Sequence, residues 1–374
     1  MKAAMNAVMN AGTRAGARAG AAARRGAALL ALAMLAGCGA SDGAGGPSAA
    51  GGEARAARTP ARLPAGQRAF DVAVSGRGRP IIFIPGLASS GETWASAVQH
   101  LRGSHACHVL TLAGFAGVAP VRGPLLARVR DELARYIEDQ GLDRPVIVGH
   151  SLGGDVALDL AARHPGRVGA LVIVDSLPFL AGAMLQVDSL EAARPMVERL
   201  RAQMEGQTPE QYRAMAASGM WTRSMVTSPD DLKRVIAWGV ASDQATVTRA
   251  MVELLGTDLR PDLAKVEAPA LVLGTWIGER AAQTAAGVAD PRQATLRTFQ
   301  EQYAPLPHMK LVMSDRARHF IMLDDPAWFL AQVDAFLADP AAATRDRGEV
   351  APGAVAAPAP ALAPAPAPAA GRSR

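Results

Sequence analysis

Cysteine is nearly absent from this chain: Cys38 and Cys107 are the only two in 374 residues. No disulfide framework or cysteine-rich metal site can be built from two thiols, so any fold must stand on its apolar core. Aromatic residues are also scarce, at 4%. A net excess of charge is missing too, despite the formal +5. Five basic residues, Lys2, Arg14, Arg18, Arg24 and Arg25, fall within residues 1–37, where there is no acid. Outside that segment basic residues equal the 34 acidic ones, so no basic surface for nucleic acid is expected.

The basic start runs into a short apolar stretch, Ala27 to Ala36, too short to span a bilayer as a stable helix. It ends in Leu35-Ala36-Gly37-Cys38. That arrangement has the form of a signal peptide over residues 1–37, and the tetrapeptide resembles a bacterial lipobox. The resemblance implies that Cys38 is acylated and becomes the new N-terminus, with several acyl chains holding the protein to a membrane of the cell envelope. Periplasm-facing export is the matching expectation. Residues 38–66, rich in Gly, Ala, Ser and Arg, read as a flexible tether. Residues 341–374, dominated by Ala-Pro repeats, read as a disordered tail.

Residues 67–340 alternate short apolar runs with amphipathic stretches, the pattern of an α/β fold with a mostly parallel sheet flanked by helices. Seven strands are expected, at Ala69–Val74, Pro80–Ile84, Cys107–Leu112, Pro145–Val148, Ala170–Val174, Ala270–Gly274 and Lys310–Met313. Several are continuous β-branched runs suited to burial on both faces. Strand signals disappear over residues 180–257, where four helical patches predict an inserted helical lid.

One segment carries a chemical signal. In Pro145-Val146-Ile147-Val148-Gly149-His150-Ser151-Leu152-Gly153-Gly154, a buried strand meets G-x-S-x-G and a helix follows without a linker. A nucleophile elbow needs this order, because the serine sits in a strained turn and flanking glycines avoid backbone clashes. With this motif the globular region resembles the α/β-hydrolase fold family, in serine hydrolase or esterase form with a lid. The resemblance implies a triad in the order Ser, acid, His, with Ser151 as nucleophile. It implies an oxyanion hole from the backbone N–H groups of Leu87, in Ile84-Pro85-Gly86-Leu87, and of Leu152. The general base should be His319, which follows the last strand and precedes an amphipathic helix. His308 precedes that strand, at the wrong end of the sheet. His150 is expected to pack behind the serine.

Two acids compete for the third position. Asp175 ends the strand beside the elbow strand and is preferred; Glu279, in the loop after Ala270–Gly274, is the alternative. The strand alignment puts Gly278 where the family usually carries Asp. Asp155, in the first turn of the elbow helix, is expected to complement its dipole.

His100, His105, Cys107 and His108 lie close in sequence, but strand alternation sends neighbouring side chains to opposite faces, so no metal is expected. No cofactor is expected either. The lid stretch holds Met184, Met196, Met204, Met215, Met220, Met225 and Met251 with Trp221 and Trp238, a composition suited to an apolar substrate pocket. The expectation is therefore hydrolysis of a small to medium apolar carboxylic ester, thioester or lactone through an acyl-enzyme on Ser151. The alternatives are acyl transfer or peptide cleavage by the same triad, and a non-catalytic ligand-binding protein. Haloalkane and epoxide hydrolysis are disfavoured, since both use a carboxylate at the elbow.

Overall fold

The computed structural model describes residues 68–349. The leader, Cys38 and the tether lie outside these residues, as does the chain beyond Glu349. Seven strands are present: β1 Phe70–Gly76, β2 Arg79–Ile84, β3 His105–Leu112, β4 Val146–His150, β5 Ala170–Val174, β6 Ala270–Thr275 and β7 Met309–Ser314. They form one sheet in the order β1-β3-β2-β4-β5-β6-β7. Only the β1–β3 pairing is antiparallel. All seven strands expected from the sequence are found, within two residues at their ends.

Helices follow in chain order: α1 Ala95–Leu101, α2 Leu126–Asp139, α3 Leu152–Arg163, α4 Leu180–Leu185, α5 Leu190–Glu205, α6 Pro209–Ala217, α7 Pro229–Val240 and α8 Gln244–Leu255. After β6 come α9 Arg280–Ala285 and α10 Pro291–Tyr303; after β7 come α11 Ile321–Asp324, α12 Pro326–Ala338 and α13 Pro340–Ala343. The two-residue period of the strands sorts the core into two halves. On one face Ile82, Ile84, Ile147, Leu171, Ile173 and Val272 meet α2, α3 and α10. On the other, Ile81, Phe83, Val146, Val148, Val172 and Leu273 meet α1 and α12 through Trp94, Leu101, Phe329 and Phe336. Both faces are covered, which is why these strands read as unbroken apolar runs.

Between β5 and β6 there is no strand among the described residues, as expected, and α4 to α8 fill the interval. Four of these helices start at sequence-encoded caps. Ser189, Thr208, Ser228 and Asp243 accept hydrogen bonds from backbone N–H groups of the first turn, and proline follows Thr208 and Ser228. Phe179, Ala181, Ala193, Val197 and Leu255 give the insertion a small core of its own.

One expected boundary is corrected. The tail predicted from residue 341 does not begin there: residues 340–343 form α13, and residues 346–349 lie along β7, an edge strand. Leu311 N–H donates to the Arg347 carbonyl and Glu349 N–H to the Leu311 carbonyl. The Glu349 carboxylate accepts from Met313 N–H at 2.8 Å and pairs with Arg292 at 2.9 Å. The Ala-Pro composition had hidden this short stretch.

Candidate functional site

At the end of β4 the backbone turns sharply. Ser151 has φ 51° and ψ −122°, outside the regions that L-residues ordinarily occupy, and it caps the N-terminus of α3. Its N–H donates to the Val174 carbonyl at 2.9 Å, and its carbonyl accepts from Gly154 N–H at 2.7 Å. The flanking glycines let the turn close. A Cβ on Gly149 would lie 2.2 Å from the Gly153 carbonyl oxygen, and one on Gly153 would lie 2.4 Å from that of Ile84. The loop bearing Gly86 and Leu87 runs beside this turn: a Cβ on Gly86 would come within 3.3 Å of the Ser151 Cβ. Leu152 directly follows Ser151 as the first residue of α3, and Leu87 directly follows Gly86 in that loop.

His319 lies in the loop after β7, and Asp175 follows β5 with φ 45°. Their side chains meet, with His319 Nδ1 at 2.6 Å from Asp175 Oδ2. A carboxylate can only accept, so Nδ1 carries the proton and the lone pair sits on Nε2. The other oxygen of Asp175 accepts from Thr275 N–H at 3.2 Å, and the Asp175 N–H is held by the Leu273 carbonyl at 2.7 Å. Ser151, His319 and Asp175 open onto one cavity of about 140 Å³.

Glu279, the alternative acid, lines the same cavity, with no hydrogen bond to the His319 imidazole among the described residues. Its carboxylate accepts from Gln283 Nε2 at 2.9 Å. Burial, with the Asp175 charge nearby, pushes its pKa up to about 7. Gly278 lines the cavity with no side chain to offer.

His150 is fully buried behind the serine, as expected. Its ring lies 4.5 Å from that of His319 and 4.7 Å from that of Phe320, and Trp94 meets it edge-on. Its Nε2–H donates to the His319 backbone carbonyl at 3.1 Å, tying the elbow to the loop that carries His319. Burial and the neighbouring His319 hold its pKa well below the usual histidine value. His308 lies immediately before β7, at the opposite end of that strand from His319.

Asp155 departs from its expected role. It is buried, and accepts from Ser176 Oγ at 2.8 Å; the Ser176 carbonyl accepts from Tyr303 Oη at 2.8 Å. Burial pushes the Asp155 carboxyl up to about 8, so near neutrality it is largely the uncharged acid rather than an anion complementing the helix dipole.

The histidines around β3 have separate partners. His100 pairs with Asp334 at 2.8 Å, His105 with Ser104 at 2.9 Å, and His108 with Tyr136 at 2.7 Å, while Cys107 is buried in the other face of the core. Of the methionines noted in the insertion, Met184 and Met225 line the cavity; Met204 is buried and Met220 is exposed. The cavity is lined mostly by apolar surface, as the composition suggested, but part of its wall is polar. Its far wall carries Gln283, Thr295 and Thr298 from α9 and α10, which the sequence reading had not marked. The visible signal was the Asp290-Pro291 cap, where Asp290 accepts from Gln293 N–H.

Residues 81–333 match the Alpha/beta hydrolase family. A pimeloyl-[acyl-carrier protein] methyl ester esterase of Nitrosomonas europaea is 26% identical over 272 residues, 71% of this chain and 98% of that protein. An N-formylmaleamate deformylase of Pseudomonas putida is 26% identical over 270 residues, 71% of this chain and 91% of that protein. Among solved structures, the enol-lactonase of Burkholderia xenovorans LB400 superposes with a TM-score of 0.56 at 18% identity, over 72% of this chain and 96% of that one. With the strand order, the elbow at Ser151 and a match spanning most of the described residues, the chain belongs to the Alpha/beta hydrolase family and is an enzyme of that family.

Proposed function

We propose that the protein hydrolyses carboxylic esters or closely related acyl compounds through an acyl-enzyme on Ser151. In this reading His319 Nε2 takes the Ser151 proton as Oγ attacks the acyl carbon. The tetrahedral oxyanion is received by the N–H groups of Leu87 and Leu152, two donors of a kind worth about 3 kcal/mol each where one has been removed. His319 then protonates the leaving group, and next activates the water that deacylates Ser151. Asp175 holds the imidazole in the tautomer with Nδ1 protonated and offsets the charge that forms on it. The observation that carries the reading is the 2.6 Å His319–Asp175 pair opening onto the same cavity as a serine held at φ 51°. Relatives named as an ester esterase and a deformylase act on acyl bonds, which supports the same class. The residues of α4 and the α6–α7 region over the cavity would serve as its lid.

Labelling of the full chain by a fluorophosphonate probe, with turnover of para-nitrophenyl esters, tests this. The wild type is expected to label and turn over, and Ser151→Ala and His319→Ala to do neither. Labelling that survives Ser151→Ala overturns the assignment. Acyl transfer is the second outcome, seen as ester formation when an alcohol acceptor is added.

The leader supports a second proposal, that Cys38 is acylated and anchors the enzyme in the cell envelope. Incorporation of an alkyne fatty acid into the full chain, lost in Cys38→Ala together with membrane fractionation, is the expected result. Equal labelling of both would overturn it.

A further inference from the structure

The cavity at Ser151 has a polar end that hydrolysis itself does not use. Gln283, only 2% exposed, lines it. Its amide nitrogen is committed twice, donating to Glu279 Oε2 at 2.9 Å and to Thr295 Oγ1 at 3.0 Å. Its carbonyl oxygen is buried and has no hydrogen-bond partner among the described residues. A buried acceptor left in this state costs free energy unless a bound group donates to it. Further acceptors lie in the same wall. Glu279 offers its second carboxylate oxygen, and Thr298 spends its hydroxyl proton on the Ala294 carbonyl at 3.3 Å, leaving lone pairs. The lining includes the Asp175 carboxylate and no lysine or arginine. An anion would find no counter-charge here, and a plain alkyl end would leave the Gln283 oxygen unsatisfied.

We propose that the wall formed by Glu279, Gln283, Thr295 and Thr298 is a specificity subsite that receives a hydrogen-bond donor, a hydroxyl or alkylammonium group, at the far end of the substrate's acyl chain. This rests on the reading of Ser151 as the nucleophile. The acyl chain is the part retained on Ser151 while the alcohol departs, so the cavity beside the serine is assigned to it. A volume of about 140 Å³ is close to that of protein cavities that hold a benzene-sized group, which fits a chain of about six carbons. Donor recognition of this kind discriminates strongly, because the competitor strands a buried acceptor rather than merely losing a contact.

The test uses the full chain and four para-nitrophenyl esters of matched size: heptanoate, ω-hydroxyhexanoate, ω-aminohexanoate and the adipate monoester. The hydroxy and amino esters are expected to exceed heptanoate in kcat/KM by about tenfold or more, and the adipate ester to be the poorest. In Gln283→Met, which keeps the length and removes the acceptor, the ratio of hydroxy ester to heptanoate should fall to about one. Heptanoate turned over as well as the hydroxy and amino esters would overturn the subsite, as would a preference for the adipate ester. Those outcomes leave Ser151 chemistry standing. Absence of turnover for all four esters, with no fluorophosphonate labelling, would instead remove the reading on which the subsite rests. The wild-type series decides the matter even if the variant does not fold.

Discussion

Ser151, His319 and Asp175 come from three loops that follow three different strands, and each is held by backbone contacts rather than by its own side chain alone. Asp175, for example, is fixed through its N–H to Leu273 and through the Thr275 N–H to its carboxylate. Asp175→Asn keeps that geometry but favours the wrong tautomer of His319. It is expected to lower kcat by about 10³-fold or more, with the circular dichroism spectrum unchanged. Glu279→Gln should cost less, because that carboxylate is bound to Gln283; a larger loss in Glu279→Gln would reverse the assignment of the acid. Asp155 gives a prediction in stability. Its folded-state pKa of about 8 lies above the ordinary 3.8, so the folded state holds the proton more tightly. The stabilisation is complete below pH 3.8 and is lost as pH rises toward about 8. Glu279 acts in the same direction, up to about 7. Relative to the wild type, Asp155→Asn should therefore gain Tm as pH rises through this window in thermal unfolding. A difference in Tm between the two that stays constant from pH 4 to pH 8 would contradict the buried neutral acid.

At the scale of elements, the strand–elbow–helix unit from β4 to α3 is decided by close approach. Gly153 packs against the Ile84 and Pro85 carbonyls with no room for a methyl group. Gly153→Ala should therefore force β2 and α3 apart. The expected cost is about 2–4 kcal/mol in denaturant unfolding, together with loss of esterase activity. Alanine at Gly166, where a Cβ meets nothing within 4 Å but φ is +80°, should cost less, about 1 kcal/mol, and spare activity. The elements most legible in the sequence were those with strong local signals. β4 and β5 were visible as β-branched runs, and α5 to α8 as periodic stretches behind Ser, Thr or Asp caps. Less legible were α9 and α10, whose polar faces turn inward on the cavity. Gln283, Thr295 and Gln302 are all buried, against the rule that the polar side of a helix faces water. A polar wall facing a cavity reads, in sequence, like a surface.

For the whole molecule, the sheet has two edges, and they are managed differently. β1 forms one edge, paired only with β3, while residues 347–349 hydrogen-bond along β7 at the other. A chain ending at residue 339 should lose the Arg292–Glu349 pair and the bonds to Leu311 and Met313, lowering Tm by about 2–6 °C relative to a chain ending at residue 349. Equal Tm values would show the segment to be incidental.

The sequence alone determined what depends on near neighbours along the chain. It set the strand and helix periods, the elbow glycines around Ser151 and the candidate set Asp175, Glu279 and His319. Tertiary structure decided what depends on residues far apart. Asp175 and His319, 144 positions apart, meet because parallel pairing places the ends of β5 and β7 on the same side of the sheet. Glu279, nearer to His319 in sequence, is turned instead toward Gln283 by the first turn of α9. The polar end of the cavity belongs to the same class: no local pattern marks the Gln283 oxygen as buried, because its burial is made by the insertion and α10 closing around it.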